Sequence, residues 1–298
     1  MIPNPCRRLV LLSLLAALLA LTPARGEQPA PKRTEGDLAM ADGARIHYIE
    51  AGRGSAIVFI PGWTIPAEIW ELQIAHFSKS HHVVAFDPRS QGRSSKTADS
   101  GYPAARARDL ESILDQLHLA PSTLVCWSMA VSECLRYVDL FGTAKVSALV
   151  LVDGFGGDAI PPERMAGMVK FIGGMQQDRR KFTEGFIRSM YRKPQSEEYL
   201  KKMIDASLAT PADTAVALQV GILNQDNSKI FGKIDRPTLL AVATAGLMDF
   251  FKKMQAAIPG SKLEIFDAGH ALFVDDADHF NRVVDDFLAT VKPTGGGK

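Results

Sequence analysis

The feature that most constrains this chain is the run Ser122-Thr123-Leu124-Val125-Cys126-Trp127-Ser128-Met129-Ala130, continued by the amphipathic stretch 131–141. An apolar strand passes straight into a helix, and one serine stands at the corner. A strand-to-helix turn that tight pushes the serine Oγ clear of its neighbours and sets a helix N-terminus behind it, the geometry of a nucleophile elbow. The usual pattern is G-x-S-x-G. Here Cys126 and Ala130 occupy the glycine positions. Strand-serine-helix junctions also occur as simple N-caps, so the flanking chain has to decide.

The 298 residues carry nearly balanced charge, 34 Lys and Arg against 33 Asp and Glu, which favours no nucleic-acid partner. Arg7-Arg8, an apolar run over 9–21 and small residues at Ala24 and Gly26 are expected to form a secretory signal over 1–26. The alternative is an uncleaved anchor. A periplasmic or secreted protein without stable membrane association after cleavage is therefore expected. Cys6 precedes the apolar run, so no lipoprotein site is indicated. Cys126 and Cys134 lie on a strand and about two turns into the next helix, directions that argue against a disulfide and for two small buried hydrophobes.

After a polar lead-in, residues 34–51 read as a hairpin turning at Ala41-Asp42-Gly43. Continuous apolar runs at 56–60, 82–87, the elbow strand and 146–152 alternate with helical stretches, the signature of a mostly parallel sheet covered on both faces. Ligands in such folds sit beyond the carboxyl ends of the strands. Those ends carry Gly62-Trp63, Asp87, Ser128 and Asp153. From 154 to 236 the strand rhythm breaks into helical segments rich in Met and Phe, and the sheet resumes at 237–292, with a tail at 293–298. The expected organisation is thus α/β, with one core in two parts, 27–153 and 237–292, and a helical cap inserted at 154–236.

Four motifs in this order resemble the α/β-hydrolase family, specifically its capped, esterase- and haloperoxidase-like branch. They are Pro61-Gly62-Trp63, Asp87-Pro88-Arg89-Ser90-Gln91-Gly92-Arg93-Ser94, the elbow, and Gly269-His270-Ala271-Leu272-Phe273, and the likeness covers residues 34–292. The resemblance implies an oxyanion hole from the backbone N–H groups of Trp63 and Met129. His270, following a last strand and a glycine, is placed as general base. The acid is less legible, because the loop Thr244-Ala245-Gly246, where most relatives carry it, has no carboxylate. Asp153 is the expected acid, since some family members keep theirs there, and Asp249 is the alternative. Asp87, Asp267, Asp275 and Asp276 read as loop and surface residues.

The expected activity is cleavage of a small carboxylic ester or lactone through an acyl-enzyme, with no metal or organic cofactor. Trp127, Phe155, Met165 and Met168 are expected to line a pocket for an apolar group. The same constellation in relatives also cleaves amide and carbon–carbon bonds or performs perhydrolysis. Dehalogenases and epoxide hydrolases of this family place Asp where Ser128 stands. A non-catalytic binding protein on the same scaffold is the competing class, motivated by Cys126, Ala130 and the missing loop carboxylate.

Overall fold

The computed structural model describes residues 31–98, 102–154, 162–223, 225–243 and 248–292. The signal expected at 1–26, the pocket residue Phe155, the loop 244–246 and the tail 293–298 lie outside them. Among the described residues the strands are β1 (Thr34–Ala39), β2 (Arg45–Gly52), β3 (Ala56–Ile60), β4 (His82–Phe86), β5 (Ser122–Trp127), β6 (Val146–Val152), β7 (Thr238–Ala243) and β8 (Lys262–Phe266). The helices are α1 (Glu71–Phe77), α2 (Pro103–Gln116), α3 (Met129–Phe141), α4 (Pro162–Gln177), α5 (Arg179–Ser189), α6 (Glu197–Leu208), α7 (Ala212–Leu223), α8 (Ser228–Phe231), α9 (Met248–Ala257), α10 (Leu272–Asp275) and α11 (Ala277–Leu288).

The strands form one sheet in the order β1-β2-β4-β3-β5-β6-β7-β8. Pairing is antiparallel through β1, β2 and β4 and parallel from β4 to β8. Because side chains alternate across a strand, each central strand feeds two cores. Val58, Ile60, Leu124, Cys126, Leu149 and Leu151 face the side covered by α2, α3 and α9. Ile57, Phe59, Val125, Trp127, Val150 and Val152 face the side covered by α1 and α11. That two-sided burial is why these strands read as unbroken apolar runs rather than as alternating ones. The segment between β6 and β7 holds α4 to α8. Part of it merges with the sheet core, through Ile187, Met190, Leu200, Met203 and Ile204.

The cysteine expectation is overturned: Cys126 and Cys134 form a disulfide, with Cα atoms 6.6 Å apart. The turn at Ser128 folds α3 back along β5, and Cys126 points to the sheet face that α3 covers. A residue two turns up the helix therefore descends onto the strand residue before the corner. Closing this eight-residue separation contributes about 2.5 kcal/mol by restricting the unfolded chain. Urea unfolding with the bridge intact and reduced should differ by that amount, and coincident curves would show that the bridge adds no stability.

Candidate active site

Ser128 sits at the β5–α3 corner with φ 58° and ψ −119°, a backbone conformation that L-residues adopt only when the surroundings enforce it. One enforcing contact is the Ser128 N–H, which donates to the Val152 carbonyl at 2.8 Å. Clearance at the corner comes from neighbouring glycines. A Cβ on Gly62 would lie 3.0 Å from Ser128 Cβ, and one on Gly154 would lie 2.3 Å from the Ser128 carbonyl oxygen. Cys126 and Ala130, at the usual glycine positions, are both fully buried in the core on the α3 side of the sheet.

Trp127 pairs with Val152 in the β5–β6 ladder, so Ser128 and Asp153 emerge side by side at adjacent strand ends. Asp153 has φ 41°, in the left-handed region that Asp tolerates better than most residues. Two bonds to β7 hold it: its N–H donates to the Ala241 carbonyl at 2.9 Å, and its Oδ1 accepts from the Ala243 N–H at 3.0 Å. The second oxygen, Oδ2, accepts from His270 Nδ1 at 2.7 Å, and His270 Nε2 lies 2.8 Å from Ser128 Oγ. A carboxylate only accepts, so Nδ1 carries the proton and the Nε2 lone pair faces the serine hydroxyl. Of the two candidate acids, the structure brings Asp153 to His270. Asp249 stands exposed in the first turn of α9.

The His270 loop is held on several sides. Trp127 Nε1 donates to the His270 carbonyl at 2.9 Å, the Gly269 N–H to Asp275 Oδ2 at 2.8 Å, and the Ala271 N–H to the Met190 carbonyl at 2.9 Å. Asp275 also accepts the Arg192 N–H at 2.7 Å. Asp275 and Asp87, expected as loop and surface residues, are therefore buried organisers. Asp87 accepts the N–H groups of Ala67 and Arg93, both at 2.7 Å, and burial raises its carboxyl above the usual range. Carboxylates are mostly exposed; Asp87 is marked by its place at the end of a buried strand, whereas nothing in the local sequence marks Asp275.

The expected pocket residues are also redistributed. Trp127 is buried beneath the histidine, 1% exposed, with its ring centroid 5.1 Å from that of His270, so it supports the loop instead of lining a pocket. Met165 on α4 is 37% exposed, and Met168 is half-buried. It is Phe171 and Met175, further along α4, that join Trp63, Met129, Phe182, Phe186 and Leu218 in an apolar cluster next to the serine. Trp63 is anchored there by its Nε1, which donates to the Ala215 carbonyl at 2.9 Å. The main-chain N–H of Met129 opens α3, where helix N–H groups have no intrahelical partner.

A hydroxyl, an imidazole and a carboxylate in hydrogen-bonded series, at the carboxyl ends of a mostly parallel sheet covered on both faces, place the molecule among α/β-hydrolase folds. The chain belongs to the alpha/beta hydrolase family, whose model matches residues 57–283. A non-heme chloroperoxidase of Kitasatospora aureofaciens is 35% identical over 122 residues, 41% of this chain and 42% of that enzyme, so the match spans less than half of the relative. The 2-hydroxy-6-oxononadienedioate/2-hydroxy-6-oxononatrienedioate hydrolase of Escherichia coli is 28% identical over 285 residues, 82% of this chain and 91% of that protein. Among solved structures, an esterase from Exiguobacterium antarcticum superposes with a TM-score of 0.80 at 22% identity, covering 85% of this chain and 99% of its own, a likeness of fold.

Proposed function

We propose that this protein is a serine hydrolase that cleaves a carboxylic ester or lactone bearing an apolar group. The observation that carries the reading is the unbroken series Asp153–His270–Ser128, with contacts of 2.7 and 2.8 Å. His270 Nε2 takes the Ser128 proton as Oγ attacks the substrate carbonyl carbon, and Asp153 holds the imidazole tautomer and offsets the charge it gains. The carbonyl oxygen becomes an oxyanion held by the main-chain N–H groups of Trp63 and Met129. Collapse of the tetrahedral adduct breaks the bond to the alcohol, which leaves with the proton from His270. Water, deprotonated by the same imidazole, then releases the acid and restores the serine. The cluster of Phe171, Met175, Phe182 and Phe186 beside Trp63 and Met129 supports an apolar acyl or alcohol group.

The buried disulfide supports the expected export of the chain, since such bonds persist in oxidising compartments. Mass analysis of the protein recovered from its host should find Glu27 at the mature N-terminus.

The test of the reaction is labelling of the mature chain with a fluorophosphonate, followed by nitrophenyl esters of rising acyl length. One equivalent of label on Ser128 is expected, with kcat/KM increasing from acetate to longer acyl chains. A folded protein that takes no label would move the reading to a non-catalytic binding protein. Adding hydrogen peroxide to the ester assay reads out peracid formation, the second outcome suggested by the chloroperoxidase relative.

A further inference from the structure

Gln91, in the loop after β4, is fully buried, and its side chain spans two parts of the molecule. Its Nε2 donates to the Gly62 carbonyl at 2.9 Å and to the Ile65 carbonyl at 2.8 Å, bracketing the loop that carries Trp63. Its Oε1 accepts from Arg106 Nη1 at 3.0 Å. The same Arg106 nitrogen donates to Glu133 Oε1 of α3 at 2.7 Å, and Nη2 donates to the Arg89 carbonyl at 2.9 Å. Arg106 can only donate, so it fixes which end of the Gln91 amide is oxygen and turns both amide hydrogens toward the loop carbonyls. The Arg106 and Glu133 side chains are 2% and 8% exposed, so the bracket sits in a medium where its bonds are strong and misplacement is costly.

The Gly62 carbonyl and the Trp63 N–H belong to one peptide group and point in opposite directions across its plane. Holding the carbonyl on the Gln91 side therefore aims the N–H away from it. The loop lies close to the nucleophile, because a Cβ on Gly62 would lie 3.0 Å from Ser128 Cβ. Gly62 itself is a residue whose peptide planes turn readily, for want of a side chain. We infer that Gln91 is a positioning residue. Locked by Arg106 and Glu133, it fixes the orientation of the Gly62–Trp63 peptide and keeps one oxyanion donor aimed before substrate arrives. Because Glu133 lies in α3, one buried chain ties the loop donor to the helix that supplies the other donor, Met129. The inference rests on the serine-hydrolase reading for its catalytic consequence, but the latch itself is a property of the loop.

Two variants of matched length test it. Gln91→Glu retains the acceptor for Arg106 and loses the donors, placing a second oxygen against the Gly62 and Ile65 carbonyls. Gln91→Met removes donor and acceptor without adding charge, and stands in if the first variant fails to fold. The substrate-free readout is the amide resonance of Trp63 in a nitrogen–proton correlation spectrum, which should shift while those of Ala241 and Leu149 in the sheet stay in place. An unmoved Trp63 resonance overturns the latch, whatever the reaction proves to be. With wild type first shown to take the fluorophosphonate, kcat/KM for a nitrophenyl ester should fall by about 10²-fold through kcat, the scale of losing an oxyanion donor. Affinity for an alkyl boronic acid, which forms the tetrahedral adduct, should fall in parallel, while that for the neutral carboxamide of the same chain is retained. Equal losses for boronic acid and carboxamide, or no loss for either, would reduce Gln91 to a packing residue and overturn the inference.

Discussion

The Ser128→Ala variant is expected to lose ester hydrolysis by about 10⁶-fold in kcat, the scale seen when a nucleophile that acts as a unit with its base is removed. The loss should be that large because without Ser128 Oγ, on which the hydrogen-bonded series from Asp153 through His270 ends, no acyl-enzyme can form. Cys126 cannot substitute, since its sulfur is bound to that of Cys134. The fold should hold, because the change deletes one partly exposed hydroxyl and leaves the Ser128 N–H bond to the Val152 carbonyl in place. Stopped-flow assays with a nitrophenyl ester should show a burst in wild type and none in the variant, with matching thermal melts. Hydrolysis at the wild-type rate by a folded, purified variant would remove Ser128 from the mechanism.

Asp153→Asn should cost about 10⁴-fold in kcat, with a fold close to that of wild type. An asparagine can keep one oxygen toward the Ala243 N–H, so the bond to β7 survives. Its amide nitrogen then faces His270 Nδ1 and can only donate, which forces the proton onto Nε2 and leaves that nitrogen unable to accept from Ser128. The loss is therefore one of tautomer and not of structure. Asp249→Asn, an exposed change in the first turn of α9, should leave the rate as it was. If Asp249→Asn is the variant that loses activity while Asp153→Asn retains it, the acid has been assigned to the wrong strand end.

The disposition of the site explains why its acid was ambiguous on paper. Asp153 and Asp249 both follow strands that run to the same edge of the sheet, and spacing along the chain is compatible with either. The choice is made by the register that sets Trp127 against Val152, together with the left-handed φ at Asp153 that turns its carboxylate toward His270. Neither has a sequence signature beyond the strand end itself.

Local periodicity and strand-end residues were enough to determine a mostly parallel sheet covered on both faces, a serine at a strand-to-helix corner and a histidine after the last strand. These rest on contacts between near neighbours or on patterns that repeat every two or 3.6 residues, and such patterns survive in a linear string. Only the tertiary structure decided the rest. The disulfide depends on α3 folding back over β5, so its two cysteines, a strand residue and a helix residue in sequence, meet only once the corner is formed. Gln91 reaches carbonyls 29 and 26 residues away, and Asp275 accepts an N–H from Arg192, 83 residues distant. Gln91 sits in a loop and Asp275 at the end of the short α10, and the path of each is set by the packing around it. A buried polar group must find partners wherever the fold puts them, and that location is a property of the assembled core rather than of the residues on either side.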